Sequence, residues 1–332
     1  MLASEGVPRT IELATAKGIT VSFVDQGASI RAILVPVRHG RVNVTLGYPR
    51  AEGYRSDPYF LGASIGRFAG RIDRGRLVLD GIEYALATGG QGGVHCLHGG
   101  PEGFHARRWT LAELDGTRTA SFHYVSAAGE QGFPGRLQAT VRYSLLDALR
   151  LSIEFVATTD APTVVNLSNH AYFNLEGDGG TIDGHRIRIN ADRYTPLDER
   201  AIPTGEIRSV AGTQYDFREE RELNDAAGSG HRRGLAVDQN YVLNRNGAGL
   251  ELAASVTAPK SGIRLNVYTT QPGIQLYTGD RLSGLLGPRA GLCLETQHFP
   301  DSPNRLTFPS CRLNPGGTYR HQTVLEFQAA EP

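Results

Sequence analysis

Wherever this chain shows a clear hydrophobic period, the period is two. Leu149, Leu151, Ile153 and Phe155 alternate with Arg150, Ser152 and Glu154; Val141, Tyr143 and Leu145 alternate with Arg142 and Ser144; Ile263, Leu265 and Val267 alternate with Arg264 and Asn266. Successive side chains of an extended chain point to opposite sheet faces, so each run presents one apolar and one wet face, and a core made of such runs is sheet packed on sheet. The turn chemistry agrees. Asp80-Gly81 separates residues 76–79 from 82–86, and Asp115-Gly116 separates two further strand-like runs. Asp-Gly supplies the positive φ angles of a tight hairpin. Helical stripes are almost missing: the best candidate, 218–224, is short and is followed by Gly228, Gly230 and Gly234. Residues 176–192 and 196–234 read as loop excursions with short strands inside them. No repeat of fixed period is present, which argues against a propeller. No linker or composition shift divides the chain, so the expectation is one all-β domain over 1–332, a sandwich or a barrel.

Composition narrows the function. The 34 Lys and Arg balance the 34 Asp and Glu, so no charge excess draws the chain to nucleic acid or to anionic lipid. Cys96, Cys293 and Cys311 make an odd set, which speaks for reduced thiols rather than a disulfide framework. The opening residues have neither the basic start nor the apolar run of a signal peptide, and no stretch approaches the roughly 18 apolar residues of a membrane span. The expectation is a soluble, cytoplasmic protein, as a monomer or a homodimer.

Three segments far apart carry polar groups for which a plain scaffold has no need: Cys96-Leu97-His98-Gly99-Gly100, Asn166-Leu167-Ser168-Asn169-His170-Ala171-Tyr172-Phe173-Asn174-Leu175, and Leu294-Glu295-Thr296-Gln297. Together they offer two imidazoles and a carboxylate, which move protons without a cofactor. Glu295 follows the apolar run Gly291-Leu292-Cys293-Leu294, which places it at a strand end near the core, where partial burial raises its pKa. A strand-end glutamate paired with an arginine is the plainer alternative. His170 titrates where a small shift decides its charge; the alternative is a core histidine satisfied by backbone. For His98 the alternative is a tight loop between strands.

These segments resemble the aldose 1-epimerase (galactose mutarotase) family, and the resemblance recurs from Gly66 to Asn304. Where the family has Asn-Leu-Thr-Asn-His-Ser-Tyr-Phe-Asn-Leu, only Ser168 and Ala171 differ here; its Glu-Thr-Gln, aromatic and Pro-Asp are matched by Glu295-Thr296-Gln297-His298-Phe299-Pro300-Asp301. The resemblance implies a large antiparallel β-sandwich of the galactose mutarotase-like kind, with the sugar site on an open concave face. It implies interconversion of the α and β anomers of a free aldose such as galactose or glucose, with Glu295 as base and His170 as acid. It further implies sugar binding by His98 in Leu97-His98-Gly99-Gly100, by Arg71 in Gly66-Arg67-Phe68-Ala69-Gly70-Arg71-Ile72, by Asp238 in Val237-Asp238-Gln239-Asn240, and by Gln271 in Thr270-Gln271-Pro272-Gly273. Two departures stand out: Gln239 replaces a histidine, and Gly70 replaces an asparagine that contributes a hydrogen bond. No cofactor or metal is implied. The expected partner is a small aldose, with no nucleic acid and no membrane.

Four rivals carry less. Gly62-Ala63-Ser64-Ile65-Gly66 has the Gly-x-Ser-x-Gly spacing of a nucleophile elbow, but no helical stripe follows it. His95, His98, Glu102 and His105 lack the paired spacing of a zinc site. A carbohydrate-binding module would keep Arg71 and Asp238 without needing both Glu295 and His170. A hexose-phosphate epimerase on the same fold would need a basic cluster, for which Arg67, Arg71 and Arg74 are the candidates.

Overall fold

The computed structural model describes residues 6–177, 179–224, 235–284 and 286–329. A nine-stranded antiparallel sheet runs in the order Thr110–Asp115, Thr119–Ser126, Leu137–Leu145, Arg150–Thr159, Tyr319–Gln328, Arg264–Thr269, Glu251–Thr257, Arg186–Ile189 and Arg221–Glu222. Its alternation is the one the sequence displays. Along Leu137–Leu145 every odd position is buried, and along Arg150–Thr159 the apolar Leu151, Ile153, Phe155 and Ala157 are buried. A six-stranded antiparallel sheet lies against it, in the order Tyr172–Phe173, Leu292–Gln297, Gly273–Tyr277, Asp238–Val242, Arg193–Tyr194 and Arg208–Ser209. Ile274, Leu276, Leu292 and Leu294 of this second sheet share one hydrophobic core with Phe155, Leu265, Val267 and Leu325 of the first. Each such side chain contributes about 1.5–3 kcal/mol on burial. A four-stranded sheet over Thr10–Ala14, Thr20–Val24, Ser29–Val37 and Gly40–Asn43 adds Val21, Phe23, Ile30 and Ile33 to the same core.

The strand Leu292–Gln297 is buried at every position. Leu292, Leu294 and Thr296 face the nine-stranded sheet, where the Thr296 and Thr323 hydroxyls lie 2.6 Å apart. Cys293, Glu295 and Gln297 therefore face the other way, into space roofed by loops. Glu295 sits within the strand, with Thr296 and Gln297 still to follow, and not at its end as the sequence implies. The apolar run stops before the strand does, because the far face is buried yet polar.

Other expectations are met or corrected locally. Asp80 and Gly81 both adopt positive φ, 54° and 77°, and Leu79 pairs with Ile82 across a tight hairpin. At the second Asp-Gly, Asp115 stays in its strand opposite Thr119 and only Gly116 has positive φ, so residues 116–118 form the loop. Segment 218–224 is not helical. Its backbone is spent on Arg221–Glu222, which pairs with Arg186–Ile189 at the sheet edge, and on the Leu223 N–H bonded to the His185 carbonyl. Gly228, Gly230 and Gly234 lie outside the described residues. No helix among the described residues is long and apolar enough to cross a membrane.

The pleat of Leu292–Gln297 makes a stability prediction. Leu294→Ala removes a side chain from between the two sheets and should cost about 2–5 kcal/mol in urea unfolding. A cost near zero would mean that Leu294 does not face the core.

Candidate active site

Cross-strand register assembles the floor of a cleft from strands distant in sequence. Asp238 pairs with Tyr277, Tyr277 with Cys293, and Cys293 with Tyr172; alongside this row, Asn240 pairs with Gln275 and Gln275 with Glu295. Side chains on paired positions share a face. The Gln275 amide donates to Asp238 Oδ1 at 2.7 Å, and Arg71 Nη1 lies 3.8 Å from Asp238 Oδ2. The cleft above this floor is lined by Phe60, Arg71, His98, His170, Asp238 and Glu295, with Gln275, Tyr277 and Gln297. Aromatic rings set among a few convergent polar groups are the mixed lining of a small-ligand pocket.

The asparagines around His170 are spent on holding its segment. Asn166 donates to the Ala69 carbonyl at 3.0 Å and accepts from the His298 N–H at 2.9 Å, tying the Arg71 segment to the one after Glu295. Asn169 donates to the Gly62 carbonyl at 2.7 Å, and Asn174 to the Ala290 carbonyl at 2.9 Å. The His170 N–H donates to the Ala63 carbonyl, and its own carbonyl accepts from Gly62 N–H. The imidazole is thus delivered from a backbone fixed on both sides.

His98 is held differently. It has positive φ, 52°, and a Cβ on the following Gly99 would meet the Gly66 carbonyl oxygen at 2.0 Å, so only glycine lets the two loops touch. His98 N–H donates to the Gly70 carbonyl at 3.0 Å, and Gly70 N–H donates back to His98 Nδ1 at 3.2 Å. An Nδ1 that accepts leaves the ring proton of the neutral imidazole on Nε2. Burial, then His170, Arg71 and His105, hold His98 well below the usual histidine range. His98 is therefore a neutral Nε2–H donor at the cleft.

Glu295 and His170 are 3% and 4% exposed, with Glu295 Oε1 3.7 Å from His170 Nε2. Burial, reinforced by Asp238 and opposed by Arg71, pushes Glu295 up to about 8; burial and His105 push His170 down to about 4. A dry site disfavours both charges. Both shifts run the same way: at neutral pH they favour one proton on the pair, held by the carboxyl rather than the imidazole. The resemblance, with Glu295 as base and His170 as acid, implies the proton on the imidazole in the working arrangement. Glu295 Oε2, Gln275 Oε1 and both amide atoms of Gln297 are buried without a hydrogen-bond partner among the described residues. Buried polar atoms are rarely left so, and here they face a cleft that a polyhydroxylated ligand would complete.

His98, His170 and Glu295 also bring potential ligand atoms within 4.8 Å of one another. The residues do not fit a divalent cation, because His98 Nδ1 already accepts a hydrogen bond and Nε2 carries the proton. His95 and Glu102 are engaged elsewhere, with Asp73 and Arg107.

Gln271 is not among the cleft residues. Its amide donates to the Tyr319 hydroxyl at 3.0 Å, and that hydroxyl accepts from Leu167 N–H. It buttresses the His170 segment from behind, since it lies before the strand Gly273–Tyr277 begins. Gln275, two steps from Tyr277 on the same face of that strand, lines the cleft instead. Period-two counting from Tyr277 would have found it. Phe60, whose ring packs on His98, His105 and His170 at centroid distances of 4.9, 4.6 and 5.5 Å, carries no motif at all.

Two rivals lose their residues. Ser64 is fully buried with its hydroxyl near Ala28 O and Tyr143, and no helix follows it. Arg67 is buried and donates to the Pro134 and Gly135 carbonyls and to Ser126 Oγ, while Arg74 is exposed and outside the cleft. The proposed phosphate cluster is reduced to Arg71.

A family model described as aldose 1-epimerase matches residues 9–326. Aldose 1-epimerase of Escherichia coli strain K12 is 40% identical over 341 residues, covering 99% of this chain and 98% of its own length. Galactose mutarotase of Bos taurus is 42% identical over 323 residues, covering 94% and 92%. The crystal structure of an aldose epimerase homologue from C. elegans superposes with a TM-score of 0.91 at 30% identity, covering 98% of this chain and 100% of that one. Galactose 1-epimerase from Lactobacillus acidophilus NCFM gives 0.84 at 28% identity, covering 98% and 95%.

The dry floor makes a linkage prediction. Unfolded, Glu295 ionises above its ordinary 4.5, whereas folded it stays protonated up to about 8. The unfolded chain therefore releases its proton first, and stability falls as pH rises between those values. Glu295→Gln lacks this loss, so it should melt higher than the parent at pH 7.5, by at least about 1 kcal/mol. The difference should shrink toward zero at pH 4. Equal melting across the range would contradict the burial effect.

Proposed function

The chain belongs to the aldose 1-epimerase family and is an isomerase of aldose anomers, and we propose that Glu295 and His170 carry its two proton transfers on a free sugar such as galactose or glucose. Opening the hemiacetal ring needs a base for the C1 hydroxyl proton and an acid for the ring oxygen. Rotation about C1–C2 then exposes the other carbonyl face, and closure returns both protons. One proton shared by two groups is the inventory this cycle requires: donor and acceptor exchange roles on opening and recover them on closure.

In the proposed assignment Glu295 takes the O1 proton and His170 gives one to the ring oxygen. The resting proton must then pass from Glu295 to His170. A sugar hydroxyl donating to the unpartnered Oε2 favours that passage, because a hydrogen bond to the carboxylate stabilises its charged form. His98 donates from Nε2 to a sugar oxygen near the reacting centre. Asp238 accepts from vicinal hydroxyls, held by Arg71 and Gln275. Gly70 adds no side chain here; a Cβ at its φ of 81° would approach Pro300 at 3.2 Å. The buried, unpaired Cys96, Cys293 and Cys311 suit a reducing cytoplasm.

The observation that carries this reading is the Glu295–His170 pair, 3.7 Å apart and dry on a floor of unpartnered polar atoms. Polarimetry of freshly dissolved α-D-galactose and α-D-glucose should show faster relaxation to an unchanged equilibrium rotation. Glu295→Gln should slow turnover by about 10²–10⁴-fold while calorimetry still detects sugar binding; near-parental turnover would sink the assignment. The rate should be bell-shaped in pH, falling toward pH 4 as both groups take protons and above pH 8 as both lose them. A flat profile from pH 4 to 9 would contradict a shared proton.

A further inference from the structure

We infer that Cys293 is a positioning residue for His170: its thiol holds the imidazole at Nδ1 and so aims Nε2 at Glu295 and the sugar. Cys293 Sγ lies 3.5 Å from His170 Nδ1, and Nε2 on the opposite side of the ring lies 3.7 Å from Glu295 Oε1. Cys293 is fully buried, two residues before Glu295 on the same face of one strand, so one pleat presents both groups to the two sides of one ring. Tyr172 and Tyr277 pair with Cys293 from the adjacent strands, and the Tyr172 ring sits 5.0 Å from that of His170. Among the described residues, no other side chain hydrogen-bonds Nδ1. The inference rests on the acid–base reading of His170 and Glu295.

A working imidazole needs its second nitrogen held, and the partner sets how firmly the ring keeps its proton. A carboxylate there would bind the imidazolium strongly and make it a poor acid. A thiol is a weak donor and a weak acceptor. It accepts from Nδ1–H both when His170 is neutral, which leaves Nε2 open to the working proton, and when the ring is charged, so it orients the ring in both states without trapping the proton. Burial keeps the thiol protonated. The titratable and charged groups around the pair are Tyr172, Tyr277, Glu295, Asp238 and Arg71, with His98 and His105 from the loops.

The experiment measures kcat, KM and the pH profile of kcat for Cys293→Ala, Cys293→Ser and His170→Asn by polarimetry with α-D-galactose. Cys293→Ala should lose about 10–100-fold in kcat, as for other residues that hold a working side chain, with KM little changed. Cys293→Ser restores a hydrogen-bonding group and should recover most of kcat. Its hydroxyl accepts more strongly, favours charged His170, and should move the acid limb to higher pH. Parental kcat and profile in Cys293→Ala, or an unmoved acid limb in Cys293→Ser, would overturn the inference. So would a rise in KM alone in both variants, the mark of packing. If His170→Asn keeps parental turnover, the acid–base reading itself fails. If His170→Asn is inactive and Cys293→Ala is parental, only the role of Cys293 fails.

Discussion

Taking Glu295 and His170 out of water is the constraint to which the rest of the site answers. Two charges in such a place would each lose several kcal/mol of solvation, and their attraction across 3.7 Å would not reliably repay it. The pair stays neutral by placing its one proton on the carboxylate. His98 stays neutral too, with its tautomer fixed by Gly70 N–H. Charge is admitted only toward the mouth of the cleft, where Arg71 and Asp238 are less buried and lie 3.8 Å apart. A site built this way is poised: little separates the resting arrangement of the proton from the working one, and a ligand hydroxyl can tip it.

The dry floor needs a stiff frame. A six-residue strand, Leu292–Gln297, carries the core of a sandwich on one face and the chemistry on the other, so position at the cleft is inherited from packing between sheets. The roof is fixed by amides as well as by apolar contact. Asn166, Asn169 and Asn174 each bridge to backbone of a different segment, and Gln271 does the same from behind through Tyr319. Much of the polar character of the His170 decapeptide is therefore structural, serving to hold one ring still. Gly99 answers to the same need, since the His98 loop must touch the backbone of Gly66.

The legible parts of the sequence are those with one wet face. Leu137–Leu145 and the Asp80-Gly81 hairpin could be read residue by residue, because polar side chains alternate with buried ones or a turn demands a particular φ. Glu295, His170 and His98 were visible as polar groups in places that packing does not require, and family resemblance gave them roles. What stayed hidden follows from burial on both faces. Glu295 looked like the end of a strand, since nothing in Leu292–Gln297 alternates between core and solvent. Gln275 reads as an ordinary strand residue until register sets it beside Glu295, and Gln297 stands in a matched motif that gives it no role of its own. Gln271 matched a motif but lies beyond the cleft. The location of the proton could not be read at all, because it depends on a roof contributed by loops more than a hundred residues away in sequence.

The most direct measurement is infrared difference spectroscopy of parent against Glu295→Gln across pH, with no sugar present. A protonated carboxyl band that belongs to Glu295, present at pH 6 and lost around pH 8, is the predicted result. A carboxylate already ionised at pH 6 would contradict the shared-proton account, and the pair would have to be an ion pair from the start.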